Sequence, residues 1–221
     1  SYITIATYYR LKLPTLLPNV DKIIYFDCDI VVNTSLKPLF NTDLGSCPFC
    51  GVKDINKRKL KKNPGYINSG VLVMDLKNIR EQNVEEELLN WTKEHFDSIK
   101  TGDQEIINEA LKGRIKIVSD KWNVQSSNFT NRSSYTKEPC VVHFVAKKKP
   151  WHWASFSYHR DLYFKYLQMT PWKLSEEEYK YWTKDNQRAS LIEYFKYRPT
   201  FFLRPRFYEA FYYTYIKNRG I

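Results

Sequence analysis

The sequence predicts an α/β fold with a mostly parallel sheet, because short apolar runs alternate along the chain with segments of helical periodicity. Residues 22–26 and 70–76 are short, mostly apolar runs, as buried strands are. Residues 77–96 instead place three apolar side chains at helical spacing, with polar residues between them. The length of 221 residues suits one domain, or one domain with an appendage.

The N-terminal elements are predicted to be a helix, two strands and a loop. Residues 2–13 have an aromatic, helical pattern that Pro14 is expected to end. The strand at residues 22–26 is followed by the β-rich residues 30–32. Residues 54–65 are polar and basic and end in a Pro-Gly pair, which is typical of a loop.

The following elements continue the alternation. Residues 103–111 are predicted to form a helix, with Asp103 as its cap and Gly113 as its terminator. Residues 115–118 and 140–146 are two further strand candidates.

The chain is basic, and its positive charge is concentrated in three segments. It has 35 Lys and Arg against 24 Asp and Glu, a formal net charge of +11, and 43% hydrophobic residues. That hydrophobic fraction suffices for a packed core and excludes general disorder. The excess charge falls in residues 53–62, 147–149 and 191–221. We therefore expect an anionic partner but not a uniformly basic nucleic-acid surface.

The targeting and cysteine patterns indicate a cytoplasmic protein. No apolar run approaches the ~18 to 20 residues that a membrane-spanning helix needs, and the N-terminus lacks a signal-peptide pattern. Cys47 and Cys50 have the spacing of a redox motif, but the residues after them indicate a strand rather than a helix N-terminus. We predict reduced, structural thiols, with a redox pair or a zinc site as the alternatives.

The strongest local feature is Asp27-Cys28-Asp29, directly after the strand at residues 22–26. Side chains alternate between the faces of a strand, so the two aspartates are expected on the same side. Two carboxylates at the carboxyl end of a buried strand repel each other unless a cation joins them. Oxygen ligands suit Mg²⁺ or Mn²⁺. The alternative is a pair of solvated acids in a turn.

Five motifs, in order along the chain, carry a family resemblance. They read IATYYRLKLPTLLPNVDKIIYFDCDIVV, SLKPLFNTDLG, NSGVLVMDL, GDQEIIN and VVHFVAKKKPW. Together they resemble the retaining glycosyltransferases of family 8, which include bacterial lipopolysaccharide galactosyl- and glucosyltransferases. The resemblance runs from about residue 2 to residue 153. It implies a GT-A (Rossmann-like) transferase fold in residues 1–155, followed by a helical, basic and aromatic extension in residues 156–221.

The resemblance implies a metal site and a lysine at the donor diphosphate. Asp27 and Asp29 look like the D-x-D pair that holds Mn²⁺ (or Mg²⁺), and His143 looks like the third protein ligand. Lys149 looks like the lysine that meets the diphosphate charge. From the residues alone, His143 also fits a core histidine, and Lys149 a solvated charge in a lysine run.

The remaining implied roles concern the donor sugar and the reacting face. Asp103 and Gln104 resemble the catalytic pair of the family. The residues that resemble donor-binding positions are Arg10, Asn68, Ser69 and Gly70. Arg10 alone also reads as a surface helical arginine.

The sequence departs from the family pattern at three positions. Ser69 stands where the family often has Ala, and Glu105 where it usually has Asp. Ala146 stands where the family often has Gly, so its Cβ is expected to crowd a backbone approach to the diphosphate.

The resemblance implies transfer of glucose or galactose from a UDP-sugar, with retention of configuration. The acceptor is expected to be a saccharide, glycolipid or glycoprotein in lipopolysaccharide or cell-surface glycan synthesis. Gln104 carries an amide, which is a weak nucleophile, so front-face attack is favoured over double displacement. The other classes considered are a nucleic-acid-binding module and a non-catalytic sugar-binding fragment. A nucleic-acid module leaves the combination of motifs unexplained.

Both ends of the chain carry an expectation. Family members have a segment before the position of Ser1, so we expect the sheet to lack its first strands and this chain alone to bind UDP-sugar poorly. After residue 153 the composition changes, and Ser175 has capping-box spacing before a helix. Residues 191–221 combine aromatic and basic side chains, which suits peripheral contact with the inner membrane face. Packing of these aromatics on the catalytic domain is the alternative.

Overall fold

The computed structural model describes residues 5–127, 136–147, 149–152, 155 and 157–182. Its strands are β1 (Lys22–Phe26), β2 (Ile30–Val32), β3 (Phe49–Lys53), β4 (Ile67–Asp75), β5 (Ile115–Ile117), β6 (Val124–Gln125) and β7 (Val141–His143). Its α-helices are α1 (Leu13–Leu16), α2 (Lys37–Phe40), α3 (Lys57–Lys62), α4 (Leu76–Glu81), α5 (Val84–His95), α6 (Asp103–Ala110), α7 (Arg160–Leu167) and α8 (Glu176–Lys180). Short 3-10 helices span Ile5–Lys12, Phe96–Ser98 and Asp120–Trp122.

The chain forms two compact units. The first comprises Ser1–Cys28 and Thr34–Asn123, and the second comprises Asp29–Asn33 and Val124–Ile221. The predicted division at residue 155 stays a prediction.

The first unit contains a four-stranded sheet in the order β1-β4-β3-β5. β4 runs antiparallel to both of its neighbours, and only β3 and β5 pair in parallel. The sheet is therefore mixed, and the expectation of a mostly parallel sheet is wrong for the described strands. The connection from β3 to β4 contains only one short helix, and antiparallel strands need no long crossover.

The core of the first unit lies between this sheet and its helices. Leu72 and Met74 of β4 are fully buried, as are Ile106 and Ile107 of α6. Burying one such side chain contributes about 1.5–3 kcal/mol. This packing fixes α6 against the sheet, and α6 carries two of the predicted site residues.

The structure corrects two predictions, the helix end at Pro14 and the loop over residues 54–65. Pro14 lies in the first turn of α1 and does not end the preceding helix, because the first turn needs no proline N–H. The segment predicted as a loop contains α3, whose cap Asn56 accepts hydrogen bonds from the backbone N–H groups of Arg58 and Lys59 at 3.0 and 3.4 Å.

The later helices also differ in detail. Residues 77–96 form two helices rather than one, because Asn83 adopts a left-handed backbone conformation with φ of 53°. Asp103 is the first residue of α6 and makes no cap hydrogen bond, while Gly102 occupies the cap position. Gly113 has φ of 84° shortly after α6, a conformation that suits its predicted role as the terminator of this helix.

The second unit contains a three-stranded sheet in the order β2-β7-β6. β2 and β7 are antiparallel, whereas β6 and β7 are parallel. The predicted capping box of Ser175 is confirmed, since its side chain accepts from Glu178 and the Glu178 carboxylate accepts from its backbone. Residues 191–221 lie outside the described part of the chain. Over the described residues, no helix is long and apolar enough to cross a membrane.

All four cysteines are free thiols. Cys50 lies within β3 rather than at a helix N-terminus, and it is fully buried. Burial raises the pKa of its thiol to about 11, which opposes thiolate formation. The geometry therefore favours the structural interpretation of this cysteine over the redox one.

Candidate functional site

Arg10 is the centre of a charged group in the first unit. It lies on the N-terminal 3-10 helix and is only 7% exposed. Its Nη2 lies 3.0 Å from Asp27 Oδ1, and its Nε lies 3.0 Å from Asp103 Oδ2. Its Nη1 donates to the Ser69 backbone oxygen at 2.7 Å, and its guanidinium lies 4.1 Å from the Tyr25 ring centre. One buried cation thus serves two carboxylates.

Arg10, shared between two carboxylates, does not hold the pKa of the Asp103 carboxyl at its ordinary value. Burial raises the pKa of the Asp103 carboxyl, Arg10 lowers it, and the negative charge of Asp27 raises it again. The resulting pKa is about 6, compared with an ordinary value of 3.8. Asp103 Oδ2 is buried and makes no well-aligned hydrogen bond, although Arg10 Nε is near it. Asp103 therefore changes protonation near neutral pH.

Gln104, on α6, forms hydrogen bonds with the N-terminal end of β4. Its Oε1 accepts hydrogen bonds from Asn68 Nδ2 and from the Ser69 backbone N–H, both at 3.2 Å. Its Nε2 donates to Asp54 Oδ2 at 2.7 Å. The Asn68 Oδ1 in turn accepts from the Gly70 N–H at 3.0 Å. Every polar atom of the Gln104 side chain therefore has a partner, and its amide orientation is fixed.

Two positioning residues were not predicted from the sequence. Asn108 is fully buried and exchanges hydrogen bonds with the Ile67 backbone at 2.7 and 2.9 Å, so it attaches α6 to β4. Asp54 is 8% exposed and orients Gln104. Asp54 directly follows β3, just as Asp27 directly follows β1, so its position after a buried strand was an available signal.

A second charged group surrounds Asp29 in the second unit. Its Oδ1 lies 3.1 Å from His143 Nε2, and its Oδ2 forms an ion pair with Lys149. The strand register explains this proximity, since Ile30 pairs with His143 across β2 and β7. The Phe144 N–H also donates to the Asp29 backbone oxygen at 2.9 Å.

Two basic side chains face this single carboxylate. Burial raises the pKa of Asp29, but contact with His143 and Lys149 outweighs it and lowers the pKa to about 2. His143 is 3% exposed. The core-histidine interpretation is correct about its burial but does not account for its contact with Asp29.

Lys149 reaches Asp29 from the segment that follows β7. Its Nζ also donates to the Phe144 backbone oxygen at 2.7 Å. Between them, Ala146 has φ of 69°, a backbone conformation that favours glycine. This strain is consistent with the departure expected from the sequence at Ala146, where the resemblance implies a glycine.

The Asp29 group has the chemistry of a divalent-cation site. Asp29 Oδ1 is buried, makes no well-aligned hydrogen bond and faces an imidazole nitrogen. Asp27 is two residues earlier, so its Cα lies within about 7 Å of that of Asp29 along the chain. Asp27, Asp29 and His143 together offer two carboxylates and an imidazole, which fits Mn²⁺ or Mg²⁺.

The structure thus brings the predicted residues together in two groups. Six of them belong to the first unit together with Asp27: Arg10, Asn68, Ser69, Gly70, Asp103 and Gln104. Asp29, His143 and Lys149 belong to the second.

Comparison with known proteins shows which family this chain matches. The family model "Glycosyl transferase family 8" matches residues 1–154. The general stress protein A of Bacillus subtilis is 30% identical over 194 residues, which is 78% of this chain and 68% of that protein. A putative glycosyltransferase of Haemophilus influenzae is 30% identical over 168 residues, which is 68% of this chain and 50% of that protein.

A solved structure also matches. The galactosyltransferase LgtC, crystallised with donor and acceptor sugar analogues, is 26% identical with a TM-score of 0.66, and the match covers 80% of this chain and 70% of that one. The fold is therefore the mixed α/β GT-A fold of such enzymes. The chain spans about two thirds of the first relative and half of the second. On the family match over residues 1–154, this chain belongs to glycosyl transferase family 8.

Proposed function

We propose that the intact protein transfers a hexose from UDP-glucose or UDP-galactose to a saccharide, glycolipid or glycoprotein, with retention of configuration and with help from a divalent cation. The observation that carries this proposal is the Asp29 group. It combines a partly buried carboxylate, an imidazole and a lysine in a family of glycosyl transferases.

The proposed metal ligands are Asp27, Asp29 and His143. When bound, Mn²⁺ or Mg²⁺ would supply positive charge to the diphosphate that leaves the sugar. Lys149 would exchange part of its contact with Asp29 for a phosphate oxygen and stabilise the same developing charge.

The site residues of the first unit are proposed to orient the donor sugar. The segment Asn68, Ser69 and Gly70 would face the donor sugar, and Arg10 holds this segment in place through its hydrogen bond to the Ser69 backbone oxygen. Asp103 holds Arg10 in place.

The hydrogen bonds of Gln104 support front-face attack. Its Oε1 already accepts two hydrogen bonds, so both lone pairs are occupied, and its Nε2 is directed to Asp54. An amide held in this way is a poor nucleophile, whereas it can still present a fixed dipole to the reacting sugar.

The names of relatives bear on the donor. The solved relative LgtC is a galactosyltransferase, and a relative in Arabidopsis thaliana, 26% identical over 195 residues, is a probable galacturonosyltransferase. The match covers 75% of this chain and 36% of that plant protein. The proposal therefore keeps UDP-galactose beside UDP-glucose and adds UDP-galacturonate as a comparison donor.

The test is UDP release by the full-length protein across these three donors, after chelation and after readdition of Mn²⁺ or Mg²⁺. We expect release only with metal, and a loss of about 100- to 1000-fold in Asp27→Ala and Asp29→Ala. The exposed Asp97, changed to Ala, is the matched control and should retain full activity. Full turnover of the two variants with chelator present would overturn the metal role, and no release by wild type with any donor would favour the non-catalytic sugar-binding alternative.

We also propose that residues 191–221 hold the protein at the inner face of a membrane. Six basic residues support it, each contributing about 1 kcal/mol near an anionic surface. Vesicle co-sedimentation with and without these residues tests it, and equal pelleting of both forms would remove it.

A further inference from the structure

The helix α3 has an unusual charge for its length. Five of its six residues are basic and none is acidic. Lys57, Arg58, Lys61 and Lys62 are exposed, and their spacing places them on one helix face. We call these four residues the α3 basic face. Among the described residues, none of the four forms a side-chain ion pair.

This face does not stabilise the fold. Lys57 and Lys61, and likewise Arg58 and Lys62, are like charges at i and i+4, and each such pair destabilises a helix by about 0.2–0.5 kcal/mol. Cations in the first helical turn also oppose the helix macrodipole. Helix formation instead depends on the Asn56 cap and on Lys59, which is half-buried and donates to Tyr66 at 3.2 Å.

The start of α3 is connected to Gln104 through one carboxylate. Asp54 Oδ1 accepts from the Asn56 N–H at 2.7 Å, and Asp54 Oδ2 accepts from Gln104 Nε2 at 2.7 Å. Lys59 Nζ lies 4.0 Å from the same carboxylate. The α3 basic face thus belongs to an element that is linked to a proposed catalytic residue, Gln104, through Asp54.

From these observations we infer that the α3 basic face binds phosphate groups on the acceptor glycan, an inference that rests on the proposed function. Three of the four side chains are lysines, which bind phosphate as compact point charges. The helix has no aromatic residue to stack on nucleic-acid bases, and its one apolar residue, Leu60, is half-buried rather than available for insertion into lipid. Anchoring beside Gln104 favours the acceptor over either of those partners.

The test compares two variants of the full-length protein with the same loss of charge. The first variant changes the α3 basic face: Lys57→Gln, Arg58→Gln, Lys61→Gln and Lys62→Gln. The matched control changes four exposed lysines elsewhere in the first unit: Lys37→Gln, Lys77→Gln, Lys93→Gln and Lys112→Gln. Calorimetry measures binding of phosphorylated mannopentaose and of the same sugar after phosphatase treatment, at low salt. Donor hydrolysis without acceptor is measured in parallel.

We expect the α3 variant to bind the phosphorylated sugar about tenfold more weakly, while the control binds like wild type. Donor hydrolysis should be unchanged in both variants. Equal affinity of wild type for the two sugars, or equal weakening by the two variants, would overturn the inference. So would an α3-dependent affinity for phosphatidylglycerol vesicles or single-stranded RNA without one for the phosphorylated sugar. Failure of the proposed function can be told apart from failure of this inference. If the proposed function is wrong, the wild-type protein will not hydrolyse the donor at all.

Discussion

Asp103 is a buried aspartate and Asp29 a partly buried one, both beside basic side chains, yet their pKa values move in opposite directions. Asp103 shares a single cation, Arg10, with a second carboxylate, and its pKa rises to about 6. Asp29 is contacted by two basic side chains, His143 and Lys149, and its pKa falls to about 2. Burial raises the pKa of both groups, and more so for the less exposed Asp103; the number of cations per carboxylate adds to this difference. Asp103 therefore gains a proton within about one and a half pH units below physiological pH, whereas Asp29 stays ionised until strongly acidic pH.

Removing the shared cation should have the largest effect. In Arg10→Met, Asp27 and Asp103 lose their buried partner, so we expect the free energy of unfolding to fall by about 3–5 kcal/mol. The melting temperature should fall by on the order of 10 °C. Urea unfolding of the full-length protein measures the change in free energy, and thermal unfolding measures the change in melting temperature.

Arg114→Met is the matched control for this change. Arg114 forms a bidentate ion pair with Glu87, but both side chains are more than a third exposed. Surface pairs contribute about 0–1 kcal/mol, so this variant should remain close to wild type. Equal destabilisation of both variants would mean that sharing one cation inside the first unit carries no special weight.

Removing one of the two cations near Asp29 tests the other side of the comparison. We expect Lys149→Met to lower kcat/KM for UDP-sugar hydrolysis by about 100- to 1000-fold, because the leaving diphosphate loses a positive charge. Lys147→Met removes a neighbouring exposed lysine and should retain activity within a few-fold. If both changes reduce activity equally, local positive charge matters more than the specific contact with Asp29.

The opposite pKa shifts predict opposite pH dependences of stability. Since the folded pKa of Asp103 is raised, its stabilising contribution is complete below its ordinary 3.8 and is lost as the pH rises through about 6. The rise corresponds to roughly 3 kcal/mol. Asp103→Asn should remove this loss between pH 4 and pH 7, as followed by urea unfolding.

Asp29 should change the pH dependence of stability at lower pH than Asp103, and its contribution should be lost on acidification rather than on a rise in pH. Its folded pKa is lowered, so its contribution is present above 3.8 and is lost as the pH falls through about 2. Asp29→Asn should therefore flatten only the acid limb, and the exposed Asp97→Asn should change neither limb. A change of the same limb in the Asp29 and Asp103 variants would contradict the cation-counting explanation.

The smallest effect is expected at Ala146. Its left-handed backbone costs about 1 kcal/mol, whereas glycine loses a similar amount of entropy on folding. Ala146→Gly should therefore raise the unfolding free energy by no more than about 1 kcal/mol, as measured by urea unfolding. Gly113→Ala, at φ of 84° with open space around it, is the reverse control and should destabilise. Clear destabilisation by Ala146→Gly would argue against strain at this turn.

Much of the fold and site could be predicted because the signals are local. The strand before Asp27 has four apolar or aromatic residues after Lys22, and the aspartate pair follows it directly. The direction of β4 could not be predicted, since strand pairing depends on contacts far apart in sequence. The helix α3 was missed because its repelling charges disfavour a helix, and only the Asn56 cap signals it.

The division of the site residues into two charged groups could not be predicted from the sequence either. The resemblance implied separate roles for Arg10, Asp27 and Asp103, but the sharing of Arg10 between the two aspartates requires the packing of α6 on β4. Asn108, which fixes that packing, resembles any polar residue of an amphipathic helix until its contacts with Ile67 are seen.

The contrast between Cys28 and Cys50 offers an experimental handle. Cys28 is exposed and stands between the two aspartates of the D-x-D motif, whereas Cys50 is fully buried and its pKa is raised to about 11. A thiol-reactive fluorophore should therefore label Cys28 and spare Cys50 in the folded protein. Such a label would sit one residue from each proposed metal-binding aspartate, where its emission would report the arrival of metal or nucleotide in real time.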